Sequence, residues 1–107
     1  METKDNCTIL LEKMTQKVKC FKFKSSELNR ELALHEDTED KHKSSITDVK
    51  TGNRLLTINN RVKDVKEIDI QNELQKFINH YTIDCIKNRL EELDKIPMEQ
   101  RIKKAKK

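Results

Sequence analysis

A seven-residue repeat of apolar positions runs from Cys7 to Tyr81, and it restricts the possible folds more than any other feature of the sequence. Apolar residues separated alternately by three and four positions lie along one stripe of an α-helix. When this spacing persists over many turns, the stripe wraps around a second helix in a left-handed supercoil. The repeat therefore predicts an all-α protein, built as one elongated helix or two in-line helices that form a coiled coil with a partner.

The composition is also typical of long solvated helices. Charged residues make up 39% of the 107 residues and hydrophobic residues only 34%, with one Gly, one Pro and no Trp. Each residue that becomes ordered loses ~1–2 kcal/mol of backbone entropy, and the burial of so few apolar side chains compensates poorly for this loss. We therefore expect a single domain that needs a second helix, and a continuous helix from Asp5 to Ile96 would be about 140 Å long.

The pattern divides the chain into three segments. Residues 1–6 are predicted to be disordered, residues 7–96 to be the coiled-coil helical region, and residues 97–107 to be a basic, frayed tail. The stretch 35–45 has no apolar residue, and we interpret it as continuous helix with a polar seam; a turn that folds the chain back is the alternative. Gly52 is a predicted soft point, because Gly costs about 1 kcal/mol inside a helix.

The repeat also predicts which side chains meet the partner. Two polar seam residues, Asn53 and Asn60, are expected to set the register, because a buried Asn in a seam specifies pairing at some cost in stability. This polar middle favours a heteromer over a homodimer. The predicted partner interface consists of Leu11, Met14, Val18, Phe21, Leu28, Leu32, Ile46, Val49, Leu56, Ile70, Leu74, Phe77, Tyr81, Ile86, Leu90 and Leu93.

Little in the sequence indicates catalysis, metal binding or cofactor binding. A glycine-rich phosphate loop cannot be built with one Gly. The three Cys are odd in number and far apart, which favours reduced thiols, and neither they nor the three His have zinc-site spacing. A long helix also offers no concave pocket for a nucleophile and its base. We therefore expect a non-enzymatic protein with no cofactor, no metal and no small-molecule substrate.

The positive charge is concentrated at the end of the sequence. Of the net charge of +4, the tail alone supplies five basic groups: Arg101, Lys103, Lys104, Lys106 and Lys107. A nucleic-acid binder usually spreads such charge over a folded face, so nucleic acid is disfavoured, although a nucleic-acid-associated protein using this tail is an alternative. No apolar run reaches the ~18–20 residues of a membrane span, and no apolar signal-peptide core follows Met1. An intracellular location, cytoplasm or nucleus, is expected.

Several short segments, in order along the chain, resemble one known family. They are 7–14, the pairs at 27–28 and 32–33, 53–56, 74–78, and the run 89–102 containing Arg89-Leu90-Glu91 and Leu93-Asp94-Lys95-Ile96. Together they resemble the 20-kDa coiled-coil subunit family of intraflagellar transport complex B.

The resemblance implies a non-enzymatic subunit that pairs through a coiled coil with a longer complex B subunit. It further implies a role in cilium assembly and in Golgi-to-cilium trafficking of membrane proteins, with links to a kinesin and a golgin. The expected locations would be the cilium, the ciliary base and the Golgi. From the repeat alone, a small helical subunit of another tethering or kinetochore-type complex is the alternative.

Overall fold

Antiparallel β-strands, rather than a long helix, form the first half of the chain. The computed structural model describes residues 1–102. Its strands pair in sequence order into one five-stranded sheet: β1 (Asp5–Leu10), β2 (Thr15–Ser25), β3 (Arg30–Glu36), β4 (Ser44–Asp48) and β5 (Arg54–Ile58). A 3₁₀ turn at Val62–Asp64 leads to three helices, α1 (Glu67–Tyr81), α2 (Ile83–Asp94) and α3 (Met98–Arg101).

The predicted all-α coiled coil is therefore wrong. The protein is an α+β domain whose longest dimension is 45 Å, about a third of the length expected for a continuous helix. The apolar stripe needs no helix from a partner, because the sheet supplies the second layer that α1 and α2 require. Helices do occupy much of 67–94, but as two short elements lying on the sheet rather than as one rod.

One side of the sheet, here called the helix side, carries large apolar residues in register. Phe21, Leu34, Ile46 and Leu56 lie opposite one another across four strands, so their side chains project from the same side. On the helices, Ile70, Leu74, Ile78, Ile86 and Leu90 are buried against this surface. Most of the predicted partner interface is therefore the internal core of a single chain.

The opposite side of the sheet, here called the inner side, has its own buried cluster, to which none of the helices in the described part of the chain contributes a residue. Its cluster consists of Cys7, Ile9, Cys20 and Ala33, with Leu11, Val18 and Val49 around them. Burial there results from coiling of the sheet: the backbone N–H of Leu10, in the first strand, donates to the carbonyl of Gly52, in the turn before the last strand, at 2.9 Å. Small side chains suit such a tightly curved surface.

The polar stretch 35–45 is a hairpin and not a helical seam, so its interpretation as continuous helix is wrong. Strand β3 continues to Glu36, and β4 begins at Ser44. Between them, the carboxylate of Asp37 accepts the backbone N–H groups of Glu39 and Asp40, which closes the turn. Asx turns of this kind explain why a segment without apolar residues or glycine reverses direction.

Gly52 is a turn residue rather than a soft point in a helix. Its φ is +72°, in the region that favours glycine, and it joins β4 to β5. A Cβ at this position would lie 3.1 Å from the backbone N of Leu10 and 2.8 Å from the Met98 sulfur. Glycine therefore permits both the turn and the close approach of β1 and α3.

The two chain ends also differ from the predicted segmentation. Asp5 and Asn6, expected in a disordered stretch, belong to β1. The start of the expected frayed tail forms α3, where Arg101 donates to the carbonyl of Thr51 and, at 2.7 Å, to the side chain of Asn53. The rest of the tail, 103–107, lies outside the described residues, and with it the four lysines of the basic cluster considered for nucleic acid. No helix within 1–102 combines the length and apolarity needed to cross a bilayer.

A buried arginine joins the sheet to the helices. Arg30, at the start of β3, donates two hydrogen bonds to Asp48 (2.7 and 2.9 Å) and two to Asp94 at the end of α2 (2.9 and 2.7 Å). Its side chain is 13% exposed, and that of Asp48 is completely buried. Asp48 also accepts the hydroxyl and backbone N–H of Thr51 at 2.6 and 2.9 Å. The two carboxylates raise the pKa of Arg30, and Arg30 lowers that of Asp94.

We expect Arg30→Met to lower the free energy of unfolding by about 3–5 kcal/mol, because it leaves the buried Asp48 carboxylate without its cation. Lys50→Met is the matched control: Lys50 also contacts Asp94, at 3.7 Å, but its side chain is 72% exposed. Such a pair contributes less than about 1 kcal/mol. Urea denaturation followed by circular dichroism measures both variants, and equal losses would contradict the central role of Arg30.

The three free cysteines should differ sharply in reactivity. Cys7 and Cys20 are buried on the inner side, and burial raises the pKa of both thiols, that of Cys20 to about 12; Cys85 is exposed. Since the thiolate is the reactive form, an aromatic disulfide reagent should modify one thiol rapidly and the other two only as the protein opens. Cys85→Ser should remove the rapid phase. Three equally fast thiols would show that the inner side is open.

Candidate functional site

An apolar groove lies between the last strand of the sheet and the two main helices. Its volume is about 310 Å³, and we call it the β5 groove. The strand side is formed by Asn53, Arg54 and Leu55, and the helix side by Phe77, Tyr81, Cys85, Ile86, Arg89, Leu90 and Leu93.

The strand that borders this groove is at the edge of the sheet. Strand β5 is last in the strand order and pairs only with β4, so the backbone groups on its other side have no strand beside them in the described part of the chain. The N–H and C=O groups of an edge strand form a template on which another extended chain can pair. In β5 this template lies directly beside an apolar depression.

A β-bulge shapes the strand wall of the groove. The register between β4 and β5 shifts between Ile46 and Thr47: Ile46 faces Leu56, whereas Thr47 faces Arg54, which leaves Leu55 as the additional residue. Regular alternation would turn adjacent Leu55 and Leu56 to opposite sides. Because of the bulge, both pack against the apolar core and both remain half-buried.

The helix wall depends on the junction between α1 and α2. Phe77 and Tyr81 are one turn apart near the end of α1, with their ring centroids 5.1 Å apart. Thr82 then turns the chain with a φ of +67°, and its hydroxyl accepts the backbone N–H of Cys85 at the start of α2. Threonine rarely adopts this conformation. Tyr81 is left 53% exposed, which is high for a large aromatic residue beside a groove.

The charged residues that line the groove are all arginines. Arg89 is 70% exposed and only touches Glu92, with 4.0 Å between their charged atoms. Arg54 is 53% exposed and donates to Asp37 at 3.3 Å. No Asp or Glu lines the groove within residues 1–102. Arg54 faces Thr47, on the inner side of the sheet, and its guanidinium lies with Asp37 there, so of the two arginines only Arg89 belongs to the helix wall of the groove.

A second candidate region lies on the inner side of the sheet, where polar side chains surround a cavity of about 210 Å³. Both ring nitrogens of His35 have partners: Nδ1 contacts the backbone carbonyl of Glu36, and Nε2 contacts the Thr47 hydroxyl, each at 2.7 Å. Since a carbonyl only accepts, Nδ1 carries the proton and Thr47 donates to Nε2.

A buried carboxylate beside this cavity, that of Asp37, is engaged elsewhere. Asp37 accepts the hydroxyl of Ser45 at 2.6 Å, and no hydrogen bond joins it to His35 among the described residues. Burial raises the pKa of Asp37, but the hydrogen bonds from Ser45 and from two backbone N–H groups outweigh this and hold it below its ordinary value. A nucleophile–histidine–carboxylate relay is not assembled, and the cluster serves to satisfy buried polar groups.

The predicted interface residues separate into different places. The β5 groove includes Asn53, Phe77, Tyr81, Ile86, Leu90 and Leu93. The core on the helix side of the sheet includes Phe21, Leu28, Leu32, Ile46, Leu56, Ile70 and Leu74, whereas Leu11, Val18 and Val49 surround the inner cluster. Two residues lie apart from these: Met14, 54% exposed, and Asn60, also exposed. Asn53 and Asn60 are loop residues, so neither sets the register of a helical pair.

Two features of the site were not predicted from the sequence: the unpaired edge of β5 and the position of Arg89 on the helix wall of the groove. Nothing in a single sequence reveals that a strand is at an edge, since this depends on the order of strands. Residues 1–102 contain no group of three or more His, Cys, Asp or Glu placed to hold a metal ion. This observation does not test the expected absence of a metal, which stays a prediction.

The burial of His35 predicts a pH dependence of stability. Burial disfavours the charged ring and lowers its pKa below the ordinary 6.5. The unfolded chain then binds a proton between pH 7 and 5 that the native protein does not, so stability should fall as the pH falls, by up to about 1.4 kcal/mol per pH unit. His35→Gln should flatten this slope in urea titrations at several pH values. An unchanged slope would place the dependence elsewhere, since Asp37 and Asp94 contribute only near pH 4 and below.

No protein-family model matches this sequence, and the comparisons with curated proteins and with solved structures gave no match either.

Proposed function

We propose that this chain is a non-enzymatic protein-binding domain that takes an extended segment of another protein as an added strand on β5. The observation that carries the proposal is the position of the open edge of β5 directly beside the apolar β5 groove. In strand addition, main-chain hydrogen bonds supply much of the affinity, and pockets for alternate side chains supply the specificity.

The dimensions of the site favour an extended segment. Strand β5 has five residues, so it offers few backbone hydrogen bonds, and each contributes only about 0.5–1.5 kcal/mol. Side chains of a strand alternate, so every second residue of the added segment would enter the groove beside Leu55, Phe77 and Tyr81. Burial of apolar side chains there, at about 25 cal/mol per Å², would then supply the larger part of the affinity.

The fold changes the way in which the chain could bind a partner in the assemblies predicted from its sequence. Membership of intraflagellar transport complex B stays a prediction that nothing yet tests, and so do the ciliary and Golgi locations that it implies. The same is true of the alternative, a tethering or kinetochore-type subunit. The coiled-coil pairing through which such a subunit would act is not available to this fold. If the chain joins such an assembly, we propose that it does so through β5.

Peptide selection tests the proposal directly. We expect a library of displayed 12-residue peptides, panned against the whole chain, to yield binders with apolar residues at alternate positions. Tyr81 is the single Tyr and there is no Trp, so the tyrosine fluorescence of the protein reports on the groove alone. A bound peptide without aromatic residues should change this fluorescence. It should also slow the modification of Cys85. Binders that leave both signals unchanged would contradict the proposal.

Backbone methylation distinguishes strand addition from simple apolar contact. Two versions of a selected peptide are needed, with N-methyl groups on the odd-numbered or the even-numbered residues. Only the version whose methyl groups face β5 loses the main-chain hydrogen bonds, so one should lose binding at least tenfold and the other should keep it. Equal affinities for both versions would overturn the pairing geometry.

Matched variants locate the site. Tyr81→Ala should weaken binding at least fivefold, because it removes an aromatic wall of the groove. Ile68→Ala is the control: Ile68 is a similarly exposed apolar residue on the same helix, at 55%, but lies outside the groove. If the chain instead forms a dimer in sedimentation runs that Tyr81→Ala dissociates, the occupant is a second copy and the proposal of a foreign segment fails.

A further inference from the structure

We infer that Thr82 is a positioning residue of the β5 groove: its strained backbone holds the two helices of the helix wall at the angle that the bound segment requires. This inference rests on the proposed function and adds a residue that acts on the site through its neighbours. Thr82 is not among the residues that line the groove. It is the single residue between the end of α1 at Tyr81 and the start of α2 at Ile83.

The backbone of Thr82 lies in a part of φ/ψ space that is essentially restricted to glycine. Its φ is +67° and its ψ is 148°. At such angles the Cβ of an L-residue is crowded by its own backbone, and the β-branched side chain of threonine adds to the crowding. A conformation of this kind persists only where the surrounding structure enforces it. Thr82 is therefore under a strain that glycine in its place would not have.

Packing on both sides of the junction enforces this conformation. Ile78, four residues before Thr82, and Ile86, four residues after it, are both buried in the core on the helix side of the sheet. The Ile78 carbonyl accepts the backbone N–H of Thr82 at 2.8 Å, and the Thr82 carbonyl accepts that of Ile86 at 3.2 Å. Each helix is thus anchored about one turn from the junction, which leaves the change of direction to one residue.

The angle between α1 and α2 decides how the helix wall faces strand β5, because each helix supplies part of that wall. The residues from α1 are Phe77 and Tyr81, and those from α2 are Cys85, Ile86, Arg89, Leu90 and Leu93. A change in the dihedral angles of Thr82 would move one part of the wall relative to the other. A wall that is already fixed in its binding shape loses less conformational freedom when a segment binds, which favours affinity. The strain at Thr82 would then lower stability and raise affinity.

Replacement of Thr82 by glycine separates fold stability from binding. Thr82→Gly should raise the melting temperature of the full chain by a few degrees, since it removes the strain and glycine caps a helix about as well as threonine. The same variant should weaken a selected peptide by about threefold or more, because the junction then samples other angles. A residue that served the fold alone would not change stability and affinity in opposite directions.

Two further variants serve as controls. Asn29→Gly alters the other non-glycine residue of 1–102 with a positive φ, +54°, in the turn between β2 and β3 and outside the groove lining. It should leave peptide affinity unchanged. Thr82→Ser keeps a hydroxyl that can accept the backbone N–H of Cys85 and keeps the restricted backbone. Its affinity should therefore stay close to that of the original protein.

The outcomes separate this inference from the function on which it rests. If Thr82→Gly is more stable and binds the peptide as tightly as the original protein, or more tightly, the positioning role is wrong and strand addition stands. A lower melting temperature for this variant would show that the backbone is not strained at this residue. An equal loss of affinity in Thr82→Ser or Asn29→Gly would also overturn the inference. Absence of any binder that responds to Tyr81→Ala would overturn both.

Discussion

The position of Arg30 between Asp48 and Asp94 is the interaction on which the rest of the structure depends. Asp48 is fully buried and also holds Thr51, so it orders the turn from which β5 begins, while Asp94 is the last residue of α2. The two walls of the β5 groove are therefore joined through one guanidinium group. Such a buried charge cluster is costly to desolvate, and replacing it with apolar residues is often neutral. Its value here lies in fixing how the helices are placed against the sheet.

Two thin apolar layers on opposite sides of one sheet replace the single large core that this composition cannot supply. On the helix side, α1 and α2 cover the row that contains Phe21 and Leu34; on the inner side, coiling of the sheet brings small residues such as Cys20 and Ala33 together. Strand β3 lies at the middle of both layers, and for this reason four consecutive residues, Leu32 to His35, are all buried. The coil closes through the bond from Leu10 to Gly52, so the positive φ of one glycine supports the inner layer.

The seven-residue repeat predicts a helix where strands form, for identifiable reasons. A step of four keeps side chains on one face in a strand as well as in a helix, so Phe21 and Ser25, which both lie in β2, satisfy both patterns. In β2, the alternation Lys17-Val18-Lys19-Cys20 is a strand signal, but its phase switches at Phe21, where the strand passes from the inner layer to the helix layer. Helical segments within 67–94 were predictable from spacing alone. The strand order, the bulge at Leu55 and the groove beside β5 were not, because each depends on residues that are distant in the sequence.

The open edge of β5 has a physical consequence for the kind of binding that it supports. Proteins usually protect edge strands by making them short or by placing charges on them, and β5 has both features: five residues, beginning at Arg54. These features weaken unselective pairing with any exposed strand, because few backbone bonds form and a cation must be accommodated. A segment with apolar residues at alternate positions would overcome this penalty best, since its side chains would enter the groove beside Leu55 and Phe77. The shortness of the strand, which limits aggregation, would therefore also make binding depend on the groove and so on the side chains of the partner.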